Sequence, residues 1–110
     1  MTSKAFGLAQ LGNAYSDGAL SNRNKIINGA MVIDQRNAGA AVTINNAASF
    51  TYSIDRWYGY GQTSDGVFTL QQDTSVPLGQ GFTKSLKATV TTADASIGAT
   101  QLYQVGQRIE

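Results

Sequence analysis

Apolar residues fall on every second position in several stretches of this chain. In KSLKATV (84–90), Leu86, Ala88 and Val90 point one way and Ser85, Lys87 and Thr89 the other. That is the period-two pattern of a half-buried antiparallel strand. GVFTLQQ (66–72) repeats it with Phe68 and Leu70, and QLYQVGQRIE (101–110) places Tyr103, Val105 and Ile109 on one face. FTYSIDRWYGYG (50–61) adds β-branched and aromatic residues, which favour a pleated surface. A single strand through it would put Ile54, Arg56, Tyr58 and Tyr60 on one face and Trp57 on the other.

Turn signals separate these runs: Asn28-Gly29, Asn45-Asn46, Asp65-Gly66, Val76-Pro77 to Gly81, and Ala93-Asp94. Asp65-Gly66 predicts a hairpin joining 50–61 to 66–73. NKIINGAMVIDQRNAG (24–39) reads as strand, turn and strand, with Asn28-Gly29 as a tight turn or a bulge. No amphipathic stretch of helical period exceeds one or two turns, so the predicted class is all-β.

The pattern changes near residue 23. Residues 1–23 hold Ala, Gly, Ser, Asn and Leu without a clean period, and Gly7, Gly12 and Gly18 interrupt helical propensity. They read as an extended N-terminal arm that orders by docking, ahead of a β-domain over 24–110. About six strands fit into that domain, where a jelly-roll sandwich uses about eight. Open edges and tyrosine-rich faces would then be association surfaces, completed by neighbouring chains.

At 110 residues the chain is one domain at most. It has neither cysteine nor histidine. Thiol nucleophiles, sulfur- or imidazole-ligated zinc and the usual base of a serine triad are therefore excluded. Without disulfides, such a domain holds together by packing within itself or against other chains. The net charge is +1 with 14% charged residues, and no two Lys or Arg are adjacent. That argues against nucleic-acid binding. No apolar run approaches 18 residues, so no membrane insertion is expected. The N-terminal apolar patch is broken by Gln10, Gly12 and Asn13 and lacks a signal-peptide core.

Two clusters remain as candidate chemistry. Asp34, Arg36, Asp55 and Arg56 form a recurring Ile-Asp-(x)-Arg theme. Asp34 and Asp55 would meet if their strands were neighbours, but no carboxylate pair stands at a working spacing. The favoured reading is structural, with Asp–Arg ion pairs at the core rim. Tyr52, Trp57, Tyr58 and Tyr60 offer aromatic faces that suit either a sugar ring or a subunit contact. Asp65, Asp73 and Asp94 lack the spacing of a calcium loop and read as turn caps. No cofactor is implied.

The ordered stretches NKIINGAMVIDQRNAG, YSIDRWYGYG and FTLQQDTSVPLGQGFTKSLKATVTTADASIGATQLYQVGQRIE resemble a group of bacteriophage tail-fibre and related virion proteins. In these, N-x-x-I-N-G-x-M-x-I-x-Q-R-x-x-G precedes Y-x-x-D-R-W and a β-sandwich of carbohydrate-binding-module type. The matching positions are Asn24, Ile27, Asn28, Gly29, Met31, Ile33, Gln35, Arg36 and Gly39, then Tyr52, Asp55, Arg56 and Trp57. The resemblance covers 24–110, and this shorter chain corresponds to the front part of the module. It implies a non-enzymatic virion protein, assembled in the host cytoplasm and trimeric. Residues 1–23 would attach it to other virion proteins, and host surface glycan would be a target. Alternatives are a capsid decoration or head-fibre protein, and a stand-alone carbohydrate-binding module.

Overall fold

A computed structural model describes residues 4–16 and 25–109. Helix α1 spans Lys4–Ser16. It corrects the expectation of an extended arm over those residues; the rest of that arm, 1–3 and 17–23, lies outside the described residues. Ala5, Leu8, Ala9, Gln10 and Leu11 are strong helix formers. They outweigh Gly7 and Gly12, which cost about 1 kcal/mol each relative to alanine. No acidic residue occupies the first turn and no basic one the last, so the helix dipole is uncompensated. Phe6, Leu8 and Leu11 are all exposed.

The remainder is mostly β. Six strands follow: β1 (Val42–Ile44), β2 (Thr51–Tyr52), β3 (Tyr58–Gln62), β4 (Val67–Asp73), β5 (Ser85–Thr92) and β6 (Leu102–Gly106). They form two antiparallel three-stranded sheets, ordered β1-β4-β5 and β2-β3-β6. The alternation over 66–72, 84–90 and 101–106 thus resolves into β4, β5 and β6, but the half-burial expected of 84–90 does not follow: Leu86 is half-buried, whereas Ala88 and Val90 are exposed. The β4–β5 ladder runs from Val67 opposite Thr92 to Asp73 opposite Ser85, with a bulge at Val67/Phe68. There the Thr91 hydroxyl donates to the Val67 carbonyl at 3.1 Å.

Three sequence expectations are corrected. Residues 25–39, the described part of the stretch 24–39, contribute no strand. Their large apolar residues come in adjacent runs, Ile26-Ile27 and Met31 to Ile33, rather than alternating, and they form two turns. One is closed by Met31 N–H on the Asn28 carbonyl at 3.0 Å, the other by Ala40 N–H on the Asn37 carbonyl at 2.9 Å. FTYSIDRWYGYG is two strands, β2 and β3, paired across a turn closed by Trp57 N–H on the Ile54 carbonyl at 2.9 Å. Asp65-Gly66 makes no hairpin, because β3 and β4 belong to different sheets and the chain crosses between them. The Gly66 N–H goes instead to the Tyr103 hydroxyl at 3.0 Å.

The main core is small. Ile44, Phe68 and Leu70 are buried, with Val42, Leu86 and Tyr103 packed around them. Gly59 meets this cluster from the opposite sheet. A Cβ there would lie 2.6 Å from Ile44 Cγ1 and 2.9 Å from Leu70 Cδ1, so only bare backbone fits between them. Gly61, two residues on, faces the Asn45 carbonyl, which a Cβ would meet at 2.5 Å.

Candidate functional site

Residues 25–41 form a strap, fastened to both sheets by side-chain amides. Gln107, beyond β6, accepts from Ile27 N–H at 2.8 Å and donates to the Ile27 carbonyl at 2.6 Å. Gln72, on β4, donates to the Met31 and Val32 carbonyls at 2.6 and 3.0 Å. Asn37 donates to the Ser53 carbonyl at 2.5 Å. Asn28 donates to the carbonyls of Ile33 and Asp55 at 2.8 and 3.0 Å and accepts from Ile33 N–H at 3.0 Å. Trp57 completes the junction, its indole N–H donating to the Asn28 carbonyl at 3.0 Å. Each bond satisfies a backbone group that an irregular segment would otherwise leave unpaired.

The expected Asp–Arg ion pairs do not form. Among the described residues the salt bridge is Lys87–Asp73, at 3.3 Å, on the surface of sheet β1-β4-β5. The Asp34 carboxylate is taken by its own loop, accepting from Asn37 N–H at 3.1 Å and Gly39 N–H at 2.6 Å. Those nearby amides reach it without ordering a long arginine side chain, which is why they win. The Arg36 guanidinium lies over the Tyr52 ring, 5.7 Å from its centroid. Arg56 sits at φ +74°, a left-handed conformation uncommon for a residue with a Cβ.

Arg36 and Arg56 nevertheless come together. With Gln35, Asn28, Asp55 and the apolar wall of Ile27 and Ile33, they line an open cleft of about 490 Å³ between the strap and the Asp55-Arg56 turn. The sequence brought these residue types into view, but not the amides that build their setting. Asn28, Asn37, Gln72 and Gln107 were missed as fasteners. The usable signal was an Asn-Gly pair, since asparagine tolerates the positive φ (+54°) that Asn28 adopts.

The aromatic cluster is partly assembled. Tyr52 and Tyr58 meet edge-to-face with centroids 5.9 Å apart. Phe50, which sequence reasoning did not include, joins Tyr58 at 4.8 Å and Tyr60 at 5.0 Å. Arg108 lies 4.1 Å from the Phe50 centroid. Trp57 is drawn away to the strap. Tyr58 is only 5% exposed and Phe50 42%, and the rings meet at crossed or tilted angles, so they pack against one another.

A second concavity, about 400 Å³, opens between β5 and β6 and is mainly apolar, with Phe68, Val90, Ile97 and Val105 among its walls. At its end the Tyr103 hydroxyl donates to Asp94 at 2.5 Å. This bond, with the Ser96 N–H on the same carboxylate, holds Asp94 below the usual carboxylate range. The same bond to Asp94 pushes the Tyr103 phenol up. Asp73 is also held down, first by the backbone N–H groups of Ser75 and Thr74 and then by Lys87. Among the described residues, no group of three or more carboxylates, cysteines or histidines is placed to hold a metal. None of their helices is long and apolar enough to cross a membrane.

Comparison of the chain with protein-family models, with curated proteins and with solved structures gives no match.

Proposed function

We propose that this chain is a non-enzymatic structural part of a bacteriophage virion, of tail-fibre type. Residues 1–23 attach it to other virion proteins, and its β-surfaces join it to copies of itself in a trimer. In this reading the two sheets form a jelly-roll-like sandwich that neighbouring chains complete, and host surface glycan is the target of the assembled fibre.

One observation carries the reading: among the described residues, five apolar side chains are buried and fifteen large ones are exposed. Scattered exposed apolar residues are ordinary, but here several are contiguous. Val90 on β5 is 70% exposed and Ile97 68%, and the exposed Val105 of β6 lines the same groove. β5 and β6 are both edge strands, so unpaired backbone groups flank this apolar surface. The packed tyrosines support a structural role in preference to a stacking platform for sugars.

Native mass spectrometry and light scattering of the full chain test the proposal. A trimer is expected, and Val90→Lys should shift it towards monomer without unfolding it. A monomer that persists at high protein concentration would overturn the reading.

A further inference from the structure

We propose that the cleft between the strap and the Asp55-Arg56 turn binds an oxyanion, a carboxylate or a phosphate, carried on a hydroxylated molecule such as a sugar. The cleft and the β5–β6 groove share no lining residue, so this inference goes beyond the assembly reading and stands without it.

The cleft holds unspent hydrogen-bonding capacity. A guanidinium presents five donors in a planar fork matched to carboxylate and phosphate oxygens. Two such forks line one cleft, and neither forms an ion pair among the described residues. The cleft volume of about 490 Å³ falls within the range of small-molecule sites.

Both arginines are pre-organised. Arg36 is steadied by the Tyr52 ring, with its guanidinium carbon 5.7 Å from the ring centroid. Arg56 occupies a turn that other bonds fix: Trp57 N–H to Ile54, Ser53 N–H to Trp57, and the Asn28 amide to Asp55. At φ +74°, glycine would fit this position without strain. An arginine held there is the kind of local strain found where a side chain has work to do.

The other lining residues set the ligand class. Asp55 shares the cleft, so two positive charges and one negative leave a net charge of one. A carboxylate repels polyanions but accepts hydrogen bonds from hydroxyl groups. Gln35 can both donate and accept, and Ile27 and Ile33 supply an apolar wall for the C–H face of a ring. A hydroxyl-bearing ligand with a single oxyanion group meets all of these groups, whereas an acidic peptide would bring several carboxylates against Asp55.

The test is an NMR titration of the full chain labelled with ¹⁵N, following the arginine Nε–Hε signals. The probes are glucuronate, glucose 6-phosphate, inorganic phosphate, glucose and an aspartate-rich peptide. Saturable shifts of the Arg36 and Arg56 signals are expected with glucuronate, glucose 6-phosphate or both, and the stronger of the two identifies the oxyanion. Glucose should leave them unmoved, and inorganic phosphate should bind more weakly than the sugar phosphate. Arg56→Gly, compatible with the local backbone, and Arg36→Gln should each weaken binding on the order of tenfold. Arg108→Gln, outside the cleft, should not. The proposal is overturned if no oxyanion saturates the signals at millimolar concentration, or if glucose binds as well as glucuronate. Equal affinity of Arg56→Gly and Arg108→Gln, or capture of the peptide in place of the sugar acids, would overturn it too.

Discussion

Replacing Asn28 should loosen the strap more than any other single change in it. Asn28→Ala removes three side-chain hydrogen bonds, two donated and one accepted. At a net contribution of about 1 kcal/mol each, that is about 3 kcal/mol. Alanine is also less at ease than asparagine at φ +54°, adding up to about 1 kcal/mol. The expected destabilisation is therefore about 3–4 kcal/mol. Asn28→Gly loses the same bonds but relaxes the backbone, so it should fall about 1 kcal/mol short of the alanine variant. Asn28→Asp keeps the shape and the bond from Ile33 N–H. It sets a carboxylate oxygen against two carbonyls that now sit 2.8 and 3.0 Å from a donor. Such a carboxylate has a raised pKa in the folded state. The loss of stability is thus complete at neutral pH and shrinks as the pH falls and the introduced group is protonated. Urea denaturation followed by tryptophan fluorescence measures all three, since Trp57 hydrogen-bonds to residue 28. If Asn28→Ala costs under 1 kcal/mol, or if the aspartate variant does not recover in acid, the strap is not held by this amide.

Three further outcomes are expected. Gly59→Ala should cost about 1–3 kcal/mol in chemical denaturation, because its methyl would collide with Ile44 and Leu70 side chains from the facing sheet. Ser53→Ala should be neutral or stabilise by up to about 2 kcal/mol in thermal melts. The Ser53 hydroxyl is buried and has no hydrogen-bond partner among the described residues. Tyr103→Phe should flatten both limbs of the stability–pH curve. Asp94, held below the ordinary 3.8, contributes stability above that value which is lost as the pH falls through its folded pKa. Tyr103, raised above the ordinary 10.0, contributes stability that is lost as the pH rises from there through its folded pKa. Urea midpoints measured across the two limbs would show curvature unchanged by the substitution if the pair has no such role.

How much was legible follows from the physics of each element. Strands β4, β5 and β6 were visible because Phe68 and Leu70, Leu86 to Val90, and Tyr103 with Val105 alternate as a pleat requires. β1 was not, since three residues, Val42–Ile44, are too few to display a period. The strap looked like strand because Ile26, Ile27, Val32 and Ile33 favour β-structure. Its backbone is instead paired with side-chain amides contributed from as far away as Gln107, a long-range fact that no local window contains. The division of FTYSIDRWYGYG was hidden because nothing about arginine announces a left-handed turn at Arg56. Asp34 and Arg36 were legible as types, but their partners, the Gly39 amide and the Tyr52 ring, were decided by tertiary geometry.

The Tyr-Gly-Tyr-Gly run of β3 has a consequence for how this sequence can vary. Its inward positions, Gly59 and Gly61, carry no side chain and admit none, while Tyr58 and Tyr60 face the ring of Phe50. The two faces of one strand therefore differ in mutational tolerance. A deep mutational scan of 58–62 should show Gly59 and Gly61 closed to replacement, Tyr58 restricted to residues that fill its buried site, and Tyr60 open to other aromatic or bulky residues. Change in this strand is channelled to Tyr60, and the close approach of the two sheets at Gly59 stays fixed.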